Sequence, residues 1–232
     1  MKSDTHAPRM SDPKAFFDAI RAGDGGKVKE LLANDHALVN AKTERGFSPV
    51  AVAVYYHQPG ILDVILAHRP AMTVHDAALA GDLKRVRELV EKDPMLVNDA
   101  SSPDGFPPLA LAAYAGRADV VAFFLSKGAD LHFAAPGVGF NALTGAVSES
   151  RAEVVKILVK TGAKVNYLYE GGEAAVLVTA AANGNPEIVK TLLDAGADPN
   201  IRTKDGKTPL AMAVEKGKPE IAEMLRRRGG TM

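Results

Sequence analysis

Apolar residues alternate along the chain between two textures. The first is short and alanine-rich: Pro209-Leu210-Ala211-Met212-Ala213-Val214, Val176-Leu177-Val178-Thr179-Ala180-Ala181 and Pro108-Leu109-Ala110-Leu111-Ala112-Ala113. Proline at the start of such a run is tolerated in a first helical turn, and Thr208 can cap the turn that Pro209 begins. The second texture places apolar residues at i and i+4, as in Ile188–Leu192 and Val189–Leu193, which predicts a helix with one apolar stripe. Gly128, Gly162 and Gly196 follow such helices, where a left-handed C-cap favours glycine. The residues up to the next Asp-Gly or Gly predict an extended finger closed by a tight turn.

The unit made of these parts recurs. Copies are anchored at Lys14, Ser48, Met72, Pro107, Asn141, Ala175 and Thr208, with spacings of 34, 24, 35, 34, 34 and 33 residues. One such unit cannot bury its own stripe, whereas stacking on neighbours does. A period near 33 carrying Gly-x-Thr-Pro-Leu-x-x-Ala, an apolar Glu-Ile-Val-x-x-Leu-Leu helix and Gly-Ala-Asp-x-Asn resembles the ankyrin repeat. The resemblance implies an all-α solenoid of helix–turn–helix units with short β-hairpin fingers. Seven repeats are expected at about 12–45, 46–70, 71–103, 104–137, 138–171, 172–203 and 204–230, forming a single domain over 12–230 behind a disordered segment 1–11.

Two departures modify this expectation. The first and third units end Asn34-Asp35-His36-Ala37-Leu38-Val39-Asn40 and Lys92-Asp93-Pro94-Met95-Leu96-Val97-Asn98, a longer loop closed by Leu-Val in place of the glycine cap. The 24-residue spacing is about ten residues short, the length of one finger. Arg69-Pro70-Ala71-Met72-Thr73 therefore leads straight into the next helix, and one finger is expected to be missing between repeats 2 and 3. Asp12-Pro13 reads as N-cap and first residue of the first helix. Arg226-Arg227-Arg228 suits the negative end of the last helix dipole.

Composition narrows the function classes. Hydrophobic residues make up 47% of the 232, and Lys plus Arg at 28 equals Asp plus Glu at 28. A neutral chain carries no field that draws it to nucleic acid or anionic lipid, which argues against nucleic acid as a partner and against an acidic mimic. With no cysteine, disulfides and thiolate-held zinc are excluded. Met1–Met10 has no apolar core of a secretory signal and no run of about 18 apolar residues exists, so a membrane is not expected and the location expected is cytoplasmic.

Catalytic signatures are sparse. Gly23-Asp24-Gly25-Gly26 follows a helix and lacks the Lys-Ser/Thr of a phosphate loop, and Gly171-Gly172 lies in a finger. Neither a Gly-x-Ser-x-Gly elbow nor a His-Glu-x-x-His pair occurs, and no two of the six histidines sit at i, i+4 with a carboxylate. No cofactor, metal or catalytic residue is assigned. His75 stands where ankyrin repeats often carry the histidine of their turn, which implies a structural hydrogen bond. With Asp76 beside it, the pair could instead serve as a base at the missing finger, alongside Tyr55, Tyr56 and Tyr114.

The resemblance also implies that partners meet the finger tips and the outer ends of the first helices, on the concave side. Seven of the thirteen Phe and Tyr fall at those positions: Phe47, Tyr55, Tyr56, Phe106, Tyr114, Phe140 and Tyr169. Glu149 and Asn183 join them. Aromatic residues bury much area at little entropic cost and concentrate at interfaces, although Phe47, Phe106 and Phe140 could equally pack the neighbouring finger. The expected function is a non-catalytic protein–protein interaction scaffold. The alternative is a small-molecule-binding protein or unusual enzyme using a pocket at the missing finger near His75 and Asp76. The expected partner is another protein, with a monomer favoured.

Overall fold

A computed structural model describes residues 12–137 and 139–232; the expected disorder of 1–11 lies outside the described residues. Among these residues the chain is helical apart from one two-stranded sheet. It divides into two compact units, ending and beginning at Asp76 and Ala77.

In the first unit, α1 (Pro13–Ala22) and α2 (Gly25–Asn34) form one antiparallel pair, and α3 (Pro49–Tyr55) and α4 (Pro59–Ala67) form the next. α3 packs on α1 and α4 on α2. Phe16, Ile20, Val28, Leu32, Ala53 and Ile65 fill the space between them. The start of each helix is fixed locally. Asp12 accepts a hydrogen bond from the Lys14 amide at 2.9 Å and Ser48 Oγ accepts one from the Ala51 amide at 3.0 Å, with proline at the first turn in both cases. Asp12 therefore takes the place assigned to Lys14, which lies inside α1; the extra residues of the loop after α2 had displaced the alignment.

That longer loop forms a 3-10 turn, His36–Asn40, opened by Asp35, whose carboxylate accepts from the Ala37 amide at 3.0 Å. Its Leu38 and Val39 are buried. The same device recurs further on, where Asp93 opens a second 3-10 turn, Pro94–Asn98. An apolar pair dipping into the core replaces the glycine cap.

Only residues 68–73 separate α4 from α5 (Val74–Ala80), against 35–48 between α2 and α3. The finger expected to be missing is absent there. Thr73 and Asp76 cap α5 reciprocally: the Asp76 amide donates to Thr73 Oγ1 at 3.1 Å and the Thr73 amide to Asp76 Oδ2 at 3.2 Å. Thr73, one residue after the expected Met72, is thus the anchor of this helix. The division between the units falls within α5.

The second unit continues through α6 (Leu83–Lys92), α7 (Pro108–Ala115), α8 (Ala118–Ser126), α9 (Ala142–Ser148), α10 (Ala152–Lys160), α11 (Val176–Asn183), α12 (Pro186–Asp194), α13 (Pro209–Glu215) and α14 (Pro219–Arg227). The alanine-rich helices stack in one row, α7 on α9, α9 on α11 and α11 on α13. The striped helices stack in the other, from α6 and α8 through α10 and α12 to α14. Small residues set the spacing of the first row: a Cβ at Gly145 would lie 3.5 Å from Tyr114 Cβ of the preceding helix.

The fingers are tight turns more than hairpins. Three are closed by a hydroxyl five residues before the anchor: the Phe47 amide donates to Thr43 Oγ1, Phe106 to Ser102 Oγ and Lys207 to Thr203 Oγ1, at 2.8–3.0 Å. Among the described residues only the finger before α11 forms strands, β1 (Leu168–Tyr169) antiparallel to β2 (Ala174–Ala175). Gly171 and Gly172 have φ of 65° and 94° and let the chain reverse between them.

Candidate partner-binding site

In the first unit the finger after α2 and the end of α3 bring their aromatics together. Phe47 meets Tyr55 edge-on, with ring centroids 5.8 Å apart at 85°. Arg45 lies over the Phe47 ring at 5.2 Å, and Arg21 of α1 over the Tyr56 ring at 5.9 Å. Arg21 is itself paired with Asp18 at 2.8 Å. Tyr56 is 48% exposed, the largest exposure among these aromatics. The groove enclosed by α1, this finger and the end of α3 has a volume of about 600 Å³, within the ordinary range of binding clefts.

In the second unit the expected contact residues are more often tied to their own neighbours. Tyr169 is only 5% exposed; it packs against Phe140 with centroids 5.1 Å apart and is hydrogen-bonded to Thr179. Burial pushes its phenol above the ordinary tyrosine value, against the bond to Thr179, which favours the phenolate. Tyr169 thus offers almost no surface to a partner, and Phe140 serves largely to cover it. Tyr167, from the same strand region, donates to the Gly139 carbonyl at 2.9 Å. Phe106 is half-buried, its amide and carbonyl both held by Ser102 Oγ at 2.8 Å. Asn183 donates to the Val147 and Ser148 carbonyls at 3.0 and 3.1 Å, closing the end of α9.

Tyr114 and Glu149 form a further cluster with Arg151. Arg151 Nε donates to the Tyr114 carbonyl at 3.1 Å, and its terminal nitrogen lies 3.6 Å from Glu149, whose side chain is 19% exposed. Burial, followed by the Glu149 charge, holds the Tyr114 phenol above its ordinary value, and Arg151 acts in the opposite sense.

His75 and Asp76 are 7% and 5% exposed. The Asp76 carboxylate accepts from Ser48 Oγ, from Thr73 Oγ1 at 2.9 Å and from the Thr73 amide. Ser48 in turn caps α3, so one carboxylate joins the starts of two helices. A carboxylate held by three donors is a structural tie.

Two polar ladders were not singled out in the sequence. Asn40, Asn98, Asn166 and Asn200 each accept from a backbone amide of the following unit's closing loop: Ala71, Asp130, Asp198 and Thr231, at 2.7–2.8 Å. Arg117 and Arg151 send Nε to the Leu79 and Tyr114 carbonyls of the preceding inner helix, at 3.0 and 3.1 Å, and their methylenes cover Gly81 and Gly116. The two arginines stand 34 residues apart, one repeat period.

Among the described residues, four that are not glycine take left-handed backbone: His57, Arg69, Ser150 and Glu170. The turn after the inner helix uses Gly23, Gly81, Gly116, Gly184 and Gly217, yet His57 and Ser150 hold that position at φ of 53° and 54°. They directly follow Tyr56 and Glu149. Left-handed backbone at a non-glycine residue costs about 1 kcal/mol.

Paired helices in tandem, stacked pair on pair within each of the two units, define a helical-repeat protein. The family model for ankyrin repeats in three copies matches residues 74–169 and 167–231. The chain belongs to the ankyrin-repeat family, whose repeats are generally protein–protein interaction modules. A comparison with the curated proteins finds no match. No helix among the described residues is long and apolar enough to cross a membrane.

Proposed function

We propose that the chain is a non-catalytic interaction scaffold that binds another protein through its fingers and the ends of its inner helices. The helix pairs α1–α2 and α3–α4, which precede the matched residues, count as repeats in this reading, making seven. The proposed contacts are Phe47, Tyr55 and Tyr56 in the first unit, and Phe106, Tyr114, Phe140, Glu149 and Asn183 in the second. The location is cytoplasmic.

The observation that carries this reading is the pairing of exposed Tyr56 and half-buried Tyr114 and Glu149 with left-handed His57 and Ser150 next to them. Aromatic groups at the end of a rigid helix bind without needing chemistry. The occupied Asp76 carboxylate supports a structural role for the His75–Asp76 turn over the small-molecule alternative. Affinity capture from a native lysate with the full chain, compared with Tyr56→Ala and Tyr114→Ala, tests it. One or a few proteins should be retained by the wild type and lost from a variant whose melting curve is unchanged. Equal retention by all three chains would sink the proposal.

A further inference from the structure

We infer that the groove between α1, the finger after α2 and the end of α3 docks an extended segment of a partner protein that presents an acidic side chain next to an aromatic or large aliphatic one. The inference rests on the protein-binding reading and names the partner chemistry for one part of it.

The charge inventory of the groove decides the sign. Its lining carries Lys14, Arg21, Lys42 and Arg45 against Asp12, Asp18 and Glu44. Asp12 is engaged by the Lys14 amide as the cap of α1, and Asp18 is neutralised by Arg21 at 2.8 Å. What faces outward is three exposed cations, Lys14, Lys42 and Arg45, against the exposed carboxylates of Asp12 and Glu44. A neutral chain has thus gathered a local positive rim, which a carboxylate-bearing segment complements.

The floor supplies the apolar half of the recognition. Phe17 and Val52 are buried beneath it, and the Phe47–Tyr55 pair and the Tyr56 ring form its walls. Arg21 and Arg45 already lie over the Tyr56 and Phe47 rings, which holds those rings in place before any partner arrives. A volume of about 600 Å³ accommodates two or three side chains of an extended peptide. The two demands meet within one short stretch, because Arg45 sits two residues from Phe47 on the same finger.

A randomised 12-residue peptide library displayed on phage, selected against the full-length chain, tests this. Enriched peptides should carry Asp or Glu within about two positions of an aromatic or large aliphatic residue. The charge reversal Lys42→Glu with Arg45→Glu, confined to exposed side chains and checked by an unchanged melting curve, should weaken the selected peptides about tenfold and shift new selections towards basic sequences. Raising the salt concentration should weaken wild-type binding as well. Selection without acidic bias, selection insensitive to the reversal, or no enrichment overturns the inference. So does a dimer of the chain that the reversal dissolves, since a second copy would then be the occupant. If lysate capture finds a partner lost with Tyr114→Ala but unaffected by the reversal, the scaffold reading stands and only the acidic-peptide groove falls.

Discussion

The finger after α2 and the finger before α11 start from similar sequence signals, an aromatic within two residues of a glycine, and reach opposite outcomes. In the first, Thr43 closes the turn with its hydroxyl, and Phe47 stays beside Tyr55 and under Arg45 at the edge of a groove. In the second, the chain forms β1 and β2, and strand alternation drives Tyr169 inward against Phe140 and Thr179. Leu168, its neighbour on the other strand face, is left exposed instead. An aromatic residue in a repeat finger is therefore not by itself a contact residue. The closure of the finger decides which way its ring points.

The sharpest test is a pair of truncations, one in the finger before α11 and one at the end of α3, on the groove beside the other finger. Tyr169→Ala should lower stability by about 3 kcal/mol, since it removes a buried ring together with its hydrogen bond. Tyr56→Ala, at a half-exposed position, should change it by no more than about 0.5 kcal/mol. Urea denaturation of both variants checks this; similar losses would show that the two tyrosines share one role. Next in size, Asp76→Ala strips Ser48 and Thr73 of a buried acceptor and should cost about 2 kcal/mol by the same measurement. The carboxylate joins two helix starts, so its loss should appear as faster amide exchange in α3 and the first turn of α5.

The titration of the buried rings gives a smaller effect. Tyr169 and Tyr114 hold their protons above the ordinary tyrosine value of 10.0. In the unfolded chain these phenols ionise first as pH rises, so the folded state keeps more protons over that interval and stability falls as pH climbs through it. Below the ordinary value this contribution is fully present. Ultraviolet titration should show two phenols ionising late in the wild type and one fewer in Tyr169→Phe. The smallest changes are gains: His57→Gly and Ser150→Gly should each raise stability by about 0.5 kcal/mol by relieving left-handed backbone. If the proposed surface is real, the same variants should bind the partner less well.

Much of the architecture was legible because it is written in local chemistry. Pro49, Pro108 and Pro209 fix first helical turns, and Ser48 and Thr208 cap them with bonds to amides three residues on. Gly128, Gly162 and Gly196 take left-handed φ between 81° and 100° where the apolar stripe ends. The short spacing at Arg69–Thr73 revealed the absent finger, because ten residues cannot be removed from any other part of a unit without losing a helix. The anchors Lys14 and Met72 stand off the helix caps Asp12 and Thr73 where the ending loops depart from the common length. The binding residues were legible only as a composition, since a finger's closure depends on which hydroxyl or strand partner is in reach.

Sequence alone determined the repeat: helix starts, helix ends, the stripe and the missing finger all follow from contacts within a few residues of one another. Tertiary structure decided which side chains remain for a partner. Tyr169 finds Phe140, 29 positions away, and Asp76 finds Ser48. Each of these groups would suit an interface if it were solvent-exposed. Burial beside a complementary neighbour, which depends on stacking across repeats, turned them into parts of the frame and left the groove around Tyr56 open.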